Sequence, residues 1–209
     1  MTPSPSFPSA EAMAVLSQDP IMAAIIRQGQ PLKSSKSEDL YFKLLSSIVS
    51  QQLSTKVAAT IFRRFTELFP ESYPHPRLVL ETPDETLRSA GLSFQKIGYI
   101  RNVAAFANEG NLEHTTIDAM PDEDLIQHLT QIKGVGRWTV EMLLMFALER
   151  PDVLPLDDLG IQNAMKRHYS LEETGKALKL RMKEISEVWR PYRTIASKYL
   201  WQSLDNMPK

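Results

Sequence analysis

The sequence predicts an all-α protein, and three observations carry that expectation. Apolar residues recur at three- and four-residue steps over most of the 209 positions, which is the period of a helix with one buried face. Helix-starting and helix-stopping residues punctuate those runs at the right offsets. Strand signals are scarce, apart from the short apolar stretch "DVLPL" at 152–156.

Taken in order, Ser9 to Gln28 reads as two helical stretches interrupted near Asp19-Pro20. Ser37 stands before "LYFKLLSSIVSQQ" as an N-cap, with Glu38 and Asp39 in the first turn, where the helix dipole favours them. Ser54 caps "TKVAATIFRRFTELF", which Pro70 ends. In "TPDETLRSAG", Thr82 caps, Pro83 takes the first helical position, Glu85 completes a capping box and Gly91 terminates. Ser93 caps a helix running to Asn108 and closed by Gly110, and Pro121 with Asp122 to Asp124 opens another that runs into Ile132. Further helices are expected over 137–149, 158–168, 178–189 and 191–204, about nine or ten in all by the apolar period.

Composition narrows the functional classes. With no cysteine, disulfides, thiolate metal sites, iron–sulfur clusters and thiol nucleophiles are all excluded. No apolar run is long enough to span a bilayer, so no membrane partner is expected. "MTPSPSFPSA" lacks the basic start and apolar stretch of a signal peptide. Residues 1–9 therefore read as a disordered Pro/Ser-rich lead-in to one helical domain over 10–209 in an intracellular protein (cytoplasm or nucleoid, or the nucleus of a eukaryote). The net charge of −1 means that any nucleic-acid surface must be a local concentration of charge. The histidines His75, His114, His128 and His168 show no metal-ligand spacing and read as surface residues.

The most informative stretch is "QIKGVGRWTVEMLLMFALERPDVLPLDDLGIQ", residues 131–162. Gly134 and Gly136 permit positive φ and close backbone approach. The helix that follows points its unpaired N–H groups and positive dipole end at whatever docks there, and Lys133 and Arg137 flank the turn with charge suited to a phosphodiester. A plain helix–helix connector would show the same four residues. Past the helix, Asp157 and Asp158 stand at the mouth of the next one, where an aspartate serves equally as a cap.

"LTQIKGVGRWTVEMLLMFAL" followed by "RPDVLPLDDLGIQ" resembles the helix-hairpin-helix DNA glycosylase superfamily, in particular its alkylation-repair branch of the 3-methyladenine DNA glycosylase II type. "LLSSIVSQQLSTKVAATI" at 44–61 and "YRTIASKYLW" near the C-terminus extend the likeness to about residues 10–205. The resemblance implies a two-lobed helical fold with an active-site cleft between the lobes. One lobe would hold the N- and C-terminal helices, and the other the hairpin unit over 129–149.

The resemblance assigns roles residue by residue. Asp158, just before Leu159-Gly160, is the catalytic carboxylate, and Asp157 takes the capping role. Trp138 and Trp201 line the base pocket, with Met142 and Leu159 beside them. Lys133, Gly134, Val135, Gly136, Arg137 and Thr139 bind the DNA strand. Gln52 or Leu53 fills the gap left by the extruded base, and the residues leave that choice open. The backbone carbonyls of Thr130, Ile132 and Val135 hold a monovalent cation, Na or K; no other cofactor is expected. Trp138 stands where bifunctional members carry an amine nucleophile. The implied activity is therefore hydrolytic release of alkylated purines of the 3-methyladenine and 7-methylguanine type from double-stranded DNA, by a monomer that leaves an abasic site. Met142 replaces a tyrosine of some members, which shifts the expected base preference. The rival readings are a glycosylase for uracil, hypoxanthine or oxidised purines, a non-catalytic helix-hairpin-helix DNA-binding module, and a helical interaction protein.

Overall fold

A computed structural model describes residues 8–37 and 39–205. Of the disordered lead-in expected over 1–9, residues 1–7 thus lie outside the described residues, while Ser9 is ordered and caps the first helix by accepting the Ala12 N–H at 3.2 Å. Those residues form thirteen α-helices and no strand. The helices are α1 (Ala10–Leu16), α2 (Pro20–Gln28), α3 (Leu40–Ser50), α4 (Thr55–Thr66), α5 (Pro76–Glu81), α6 (Asp84–Ser89) and α7 (Phe94–Asn108). They continue with α8 (His114–Ala119), α9 (Asp122–Thr130), α10 (Arg137–Phe146), α11 (Leu159–His168), α12 (Gly175–Ser186) and α13 (Arg193–Asp205). Short 3-10 turns cover Pro70–Ser72 and Glu187–Trp189. No helix among the described residues is long and apolar enough to cross a membrane.

The chain divides into two compact units. One takes the chain up to Lys36 and from Leu144 onward, the other spans Ser37–Leu143, and the boundary falls within α10. In the Ser37–Leu143 unit, α7 packs against α3, α5 and α6. Ile97, Ile100, Val103 and Ala104 of α7 are fully buried together with Leu44, Leu45, Ile48 and Val49 of α3. The other unit closes around Leu16, Met22, Ile161, Met165, Met182, Trp189 and Leu200. There Asp19 caps α2 through the N–H groups of Ile21 and Met22, while its second oxygen accepts Tyr169 Oη at 2.7 Å and Trp189 Nε1 at 2.9 Å. One carboxylate thus fixes a helix start and satisfies the buried Trp189 and half-buried Tyr169 donors.

Several boundaries differ from expectation for local reasons. Asp39, not Ser37, caps α3, accepting the Phe42 N–H at 2.8 Å; Ser37 Oγ instead accepts the N–H of Asp39 itself. Thr82 ends α5, its hydroxyl donating to the Leu78 carbonyl, which moves the cap of α6 to Pro83. The six-residue helices α5 and α8 are too short to register as a period. α4 stops at Thr66 rather than at Pro70. α10 stops at Phe146, whose carbonyl accepts the Ser35 hydroxyl at 2.6 Å, and beyond it Glu149 turns through φ 52° while its carboxylate accepts the Ser34 hydroxyl and the Ser35 N–H. "DVLPL" is no strand: the Val153 N–H goes to Thr194 Oγ1. His75 and His114 are exposed as expected, whereas His128 and His168 are half-buried and bonded to Asn111 and Ser203.

Candidate active site

The Ser37–Leu143 unit holds the hairpin and a cavity. α9 ends at Thr130, and the Val135 N–H returns to the Ile132 carbonyl at 2.9 Å, closing the turn. Gly134 lies at φ +104° against Tyr99; a Cβ there would sit 2.3 Å from the ring. Conformation and space both demand glycine at this position. Gly136 has open space where its Cβ would be, so its missing side chain serves nothing inside the protein. Its carbonyl accepts the Val140 N–H, the first bond of α10. The first amides of α10 therefore have no acceptor within the helix. Lys133 is exposed and Val135 buried.

Arg137 is engaged differently from the sequence expectation. Its guanidinium forks onto both oxygens of Glu123 at 2.8 Å and donates to Glu141 at 3.0 Å. These hydrogen bonds hold the Glu123 carboxyl below the usual carboxylate range. The cation is spoken for by two carboxylates, and any phosphate must compete with them.

Next to the hairpin, Trp138, Thr139 and Met142 on α10 join Ser46, Ser47 and Ser50 of α3 and the turn residues Gln51 and Gln52 around a cavity of about 490 Å³, a size that suits a small ligand. Trp138 is 47% exposed and supplies an aromatic surface. Met142 is half-buried and Thr139 buried. The serine hydroxyls, which the sequence reading passed over, give the opposite wall donors and acceptors together. Gln52 adopts φ +58°, a backbone that non-glycine residues adopt at a cost and that concentrates at functional sites. Leu53 lines a separate apolar groove with Phe42 and Phe62.

The second unit holds the carboxylate. Asp158 is 7% exposed and caps α11. Its Oδ1 accepts the Ile161 N–H at 2.8 Å and Trp201 Nε1 at 2.7 Å. Asp157, the expected cap, is instead exposed and paired with Lys179. Trp201 stacks on Phe146, centroids 5.4 Å apart and planes 6° from parallel, so one of its faces is covered. A Cβ at Gly160 would meet Trp201 Nε1 at 2.7 Å and Asp158 Oδ1 at 3.0 Å; only glycine leaves room for the bond between them. Lys198, buried, lies with Nζ 4.9 Å from the Phe146 centroid, and burial pushes its pKa down. Leu159, at the first position of α11, is 72% exposed.

Sequence reasoning missed Gln51, Phe146, Gly160 and the serines of α3. The run "SSIVS", with hydroxyls one and four positions apart on an apolar helix, was the available signal.

An all-helical chain in which a Gly-Val-Gly turn opens a helix, and a buried aspartate caps the helix after it, defines a helix-hairpin-helix protein of the base-excision type. The chain belongs to the HhH-GPD superfamily of base excision DNA repair proteins, whose profile matches residues 45–191. It is 37% identical over 183 residues to the Bacillus subtilis protein YfjP, covering 85% of this chain and 62% of that one. It is 35% identical over 184 residues to DNA-3-methyladenine glycosylase 1 of Schizosaccharomyces pombe, covering 87% and 80%. Among solved structures, the Schizosaccharomyces pombe 3-methyladenine DNA glycosylase in complex with abasic DNA superposes with a TM-score of 0.79 at 34% identity, covering 92% of this chain and 95% of that one.

Proposed function

We propose that this protein is a monofunctional DNA glycosylase that extrudes an alkylated purine from double-stranded DNA and hydrolyses its N-glycosyl bond, leaving an abasic site. The observation that carries the reading is Asp158: a buried carboxylate at a helix start with one oxygen held by two donors. Departure of the base builds positive charge on the sugar, and a pre-oriented anion in a water-poor site stabilises that charge and orients the attacking water. Trp138 offers an aromatic face to a cationic methylpurine, by stacking and cation–π attraction. It also occupies the position where a strand-cutting relative would carry an amine, which favours hydrolysis over lyase chemistry. The relatives named as DNA-3-methyladenine glycosylases support the same substrate class.

The hairpin amides, with Lys133, would hold the phosphate backbone. Gln52, on the rim of the Trp138 cavity, would fill the gap left by the base, a role its position favours over Leu53. The carbonyl oxygens of Thr130, Ile132 and Val135 are a neutral donor set suited to Na or K; the Ile132 oxygen accepts the Val135 N–H and keeps a second lone pair. Such an ion would add positive charge beside the phosphate. The protein would act as a monomer inside the cell.

The test is base release from a duplex containing 7-methylguanine beside one containing uracil, with each product divided between neutral buffer and hot alkali. Methylpurine release with strand breaks only after alkali, abolished by Asp158→Asn with duplex affinity kept within a few-fold, is the expected result. Breaks without alkali would make it a lyase, and uracil release alone would change the substrate. Binding without release of either base would leave a DNA-binding module.

A further inference from the structure

Two turns of the Ser37–Leu143 unit, the hairpin and the 51–53 turn, hang on one helix and on each other. Lys96 of α7 donates through Nζ to the carbonyls of Val49, at 2.6 Å, and Gln51, at 2.8 Å, closing the C-terminal end of α3. A cation on the last carbonyls of a helix is a favourable end. One turn further along α7, the Tyr99 ring packs under Gly134, its hydroxyl fixed by Gln95 at 2.8 Å. Three residues on, Asn102 Nδ2 donates to the Lys133 carbonyl at 3.1 Å. In a trans peptide the C=O and N–H point opposite ways, so the Lys133 carbonyl, drawn to Asn102, turns the Gly134 N–H away from α7. One bond then crosses from turn to turn: Gln51 Nε2 donates to the Gly134 carbonyl at 3.1 Å.

We propose that Gln51 is a positioning residue that couples the strand grip of the hairpin to gap filling by Gln52, through its side-chain bond to Gly134 and its backbone bond to Lys96. The inference rests on the glycosylase reading. Gln51 lies between two constraints. Its side chain holds the hairpin, its carbonyl is fixed on α7, and the next residue carries the left-handed backbone. A shift of the hairpin on engaging phosphate is passed to Gln52 without an intervening flexible segment. Gln51→Leu breaks the bond across the turns while leaving Lys96, Tyr99 and Asn102 in place, so the hairpin keeps its own supports.

The experiment compares Gln51→Leu and the unbranched Gln51→Met with Asn102→Leu, all checked for a wild-type urea midpoint. Affinity for undamaged duplex, single-turnover release from a 7-methylguanine duplex, and 2-aminopurine fluorescence beside a tetrahydrofuran site are measured for each. For both Gln51 variants, undamaged-duplex affinity is expected to stay within about two-fold. The release rate falls about ten-fold, equivalent to one lost neutral hydrogen bond in the extruded state, and the fluorescence rise shrinks with it. Asn102→Leu gives the opposite split, with weaker binding and an unchanged rate at saturation. A wild-type rate and fluorescence in the Gln51 variants, or a loss of undamaged-duplex affinity as large as the loss of rate, overturns the coupling. If wild-type protein releases no methylpurine, the glycosylase reading fails, and the fluorescence signal at the tetrahydrofuran site still decides the coupling.

Discussion

Replacing Gly160 by alanine tests the hold that Trp201 keeps on the Asp158 carboxylate. The new methyl would lie 2.7 Å from Trp201 Nε1, 2.9 Å from its Cδ1 and 3.0 Å from Asp158 Oδ1. The two indole contacts are shorter than a methyl carbon accepts and the third is tight, so the indole must withdraw from the carboxylate and the 2.7 Å bond opens. A hydrogen bond to a charged group contributes about 1.5–3 kcal/mol. If that support is exerted on the carboxylate as charge develops, the maximal rate falls about 10- to 100-fold, at 1.36 kcal/mol per factor of ten. Gly160 lies within α11 without positive φ, and alanine is the better helix former by roughly 0.5–1 kcal/mol. That gain opposes the local strain, so the thermal midpoint should move little. Single-turnover release at saturating enzyme, with duplex affinity measured in parallel, reads the effect: lower rate, affinity kept. Trp201→Phe should cost a similar factor, and the double variant no more than either single, because both remove the same bond. A Gly160→Ala protein with wild-type rate would refute the argument, as would rate losses that multiply in the double variant.

Four further outcomes are expected. Gly136→Ala meets no protein atom, so it should leave thermal stability unchanged yet weaken binding to damaged and undamaged duplex alike. Gly134→Ala, clashing with Tyr99 at φ +104°, should lower the urea midpoint itself; a binding defect confined to damaged DNA in the Gly136 variant would contradict a backbone grip on phosphate. Glu123→Gln loosens the hold on Arg137, so duplex affinity should rise and the slope of log affinity against log salt should steepen by about one unit; an unchanged slope would mean that Arg137 never reaches phosphate. Burial first, and the neighbouring Arg167 second, push the His168 pKa down. The unfolded chain then binds the proton more readily, so stability is complete above the ordinary histidine range and is lost as pH falls through the lowered value. The urea midpoint should drop less between pH 7.5 and pH 5 in His168→Gln than in the wild type.

Features determined by neighbours in sequence were legible there. Ser93 caps α7 through the Lys96 N–H as its position implies, α7 ends at Asn108, and Asp158 heads a helix reaching His168. The glycine turn and the buried aspartate were both visible as a local pattern. What could not be read are the partners that only folding supplies. Trp201 meets Asp158 across 43 positions and Gln51 meets Gly134 across 83, and no periodicity encodes either meeting. Arg137 illustrates the limit well. Beside a glycine hairpin it has the look of a phosphate ligand, yet Glu123, fourteen positions earlier, lies at hydrogen-bonding distance once α9 and α10 pack. Thr82 was misread for the opposite reason: a complete capping pattern was present, but the residue was already used by the helix before it.

α7 carries more than its own buried face. The turn after α3 and the hairpin after α9 both depend on its side chains, so neither can open alone without leaving a carbonyl or a ring without its mate. In amide hydrogen exchange, the protected amides flanking these two turns should exchange at the rate of α7 itself, as one cooperative block, despite lying far apart in the chain. The strand-reading elements would thereby take their rigidity from the most slowly opening part of the unit rather than from the loops in which they sit.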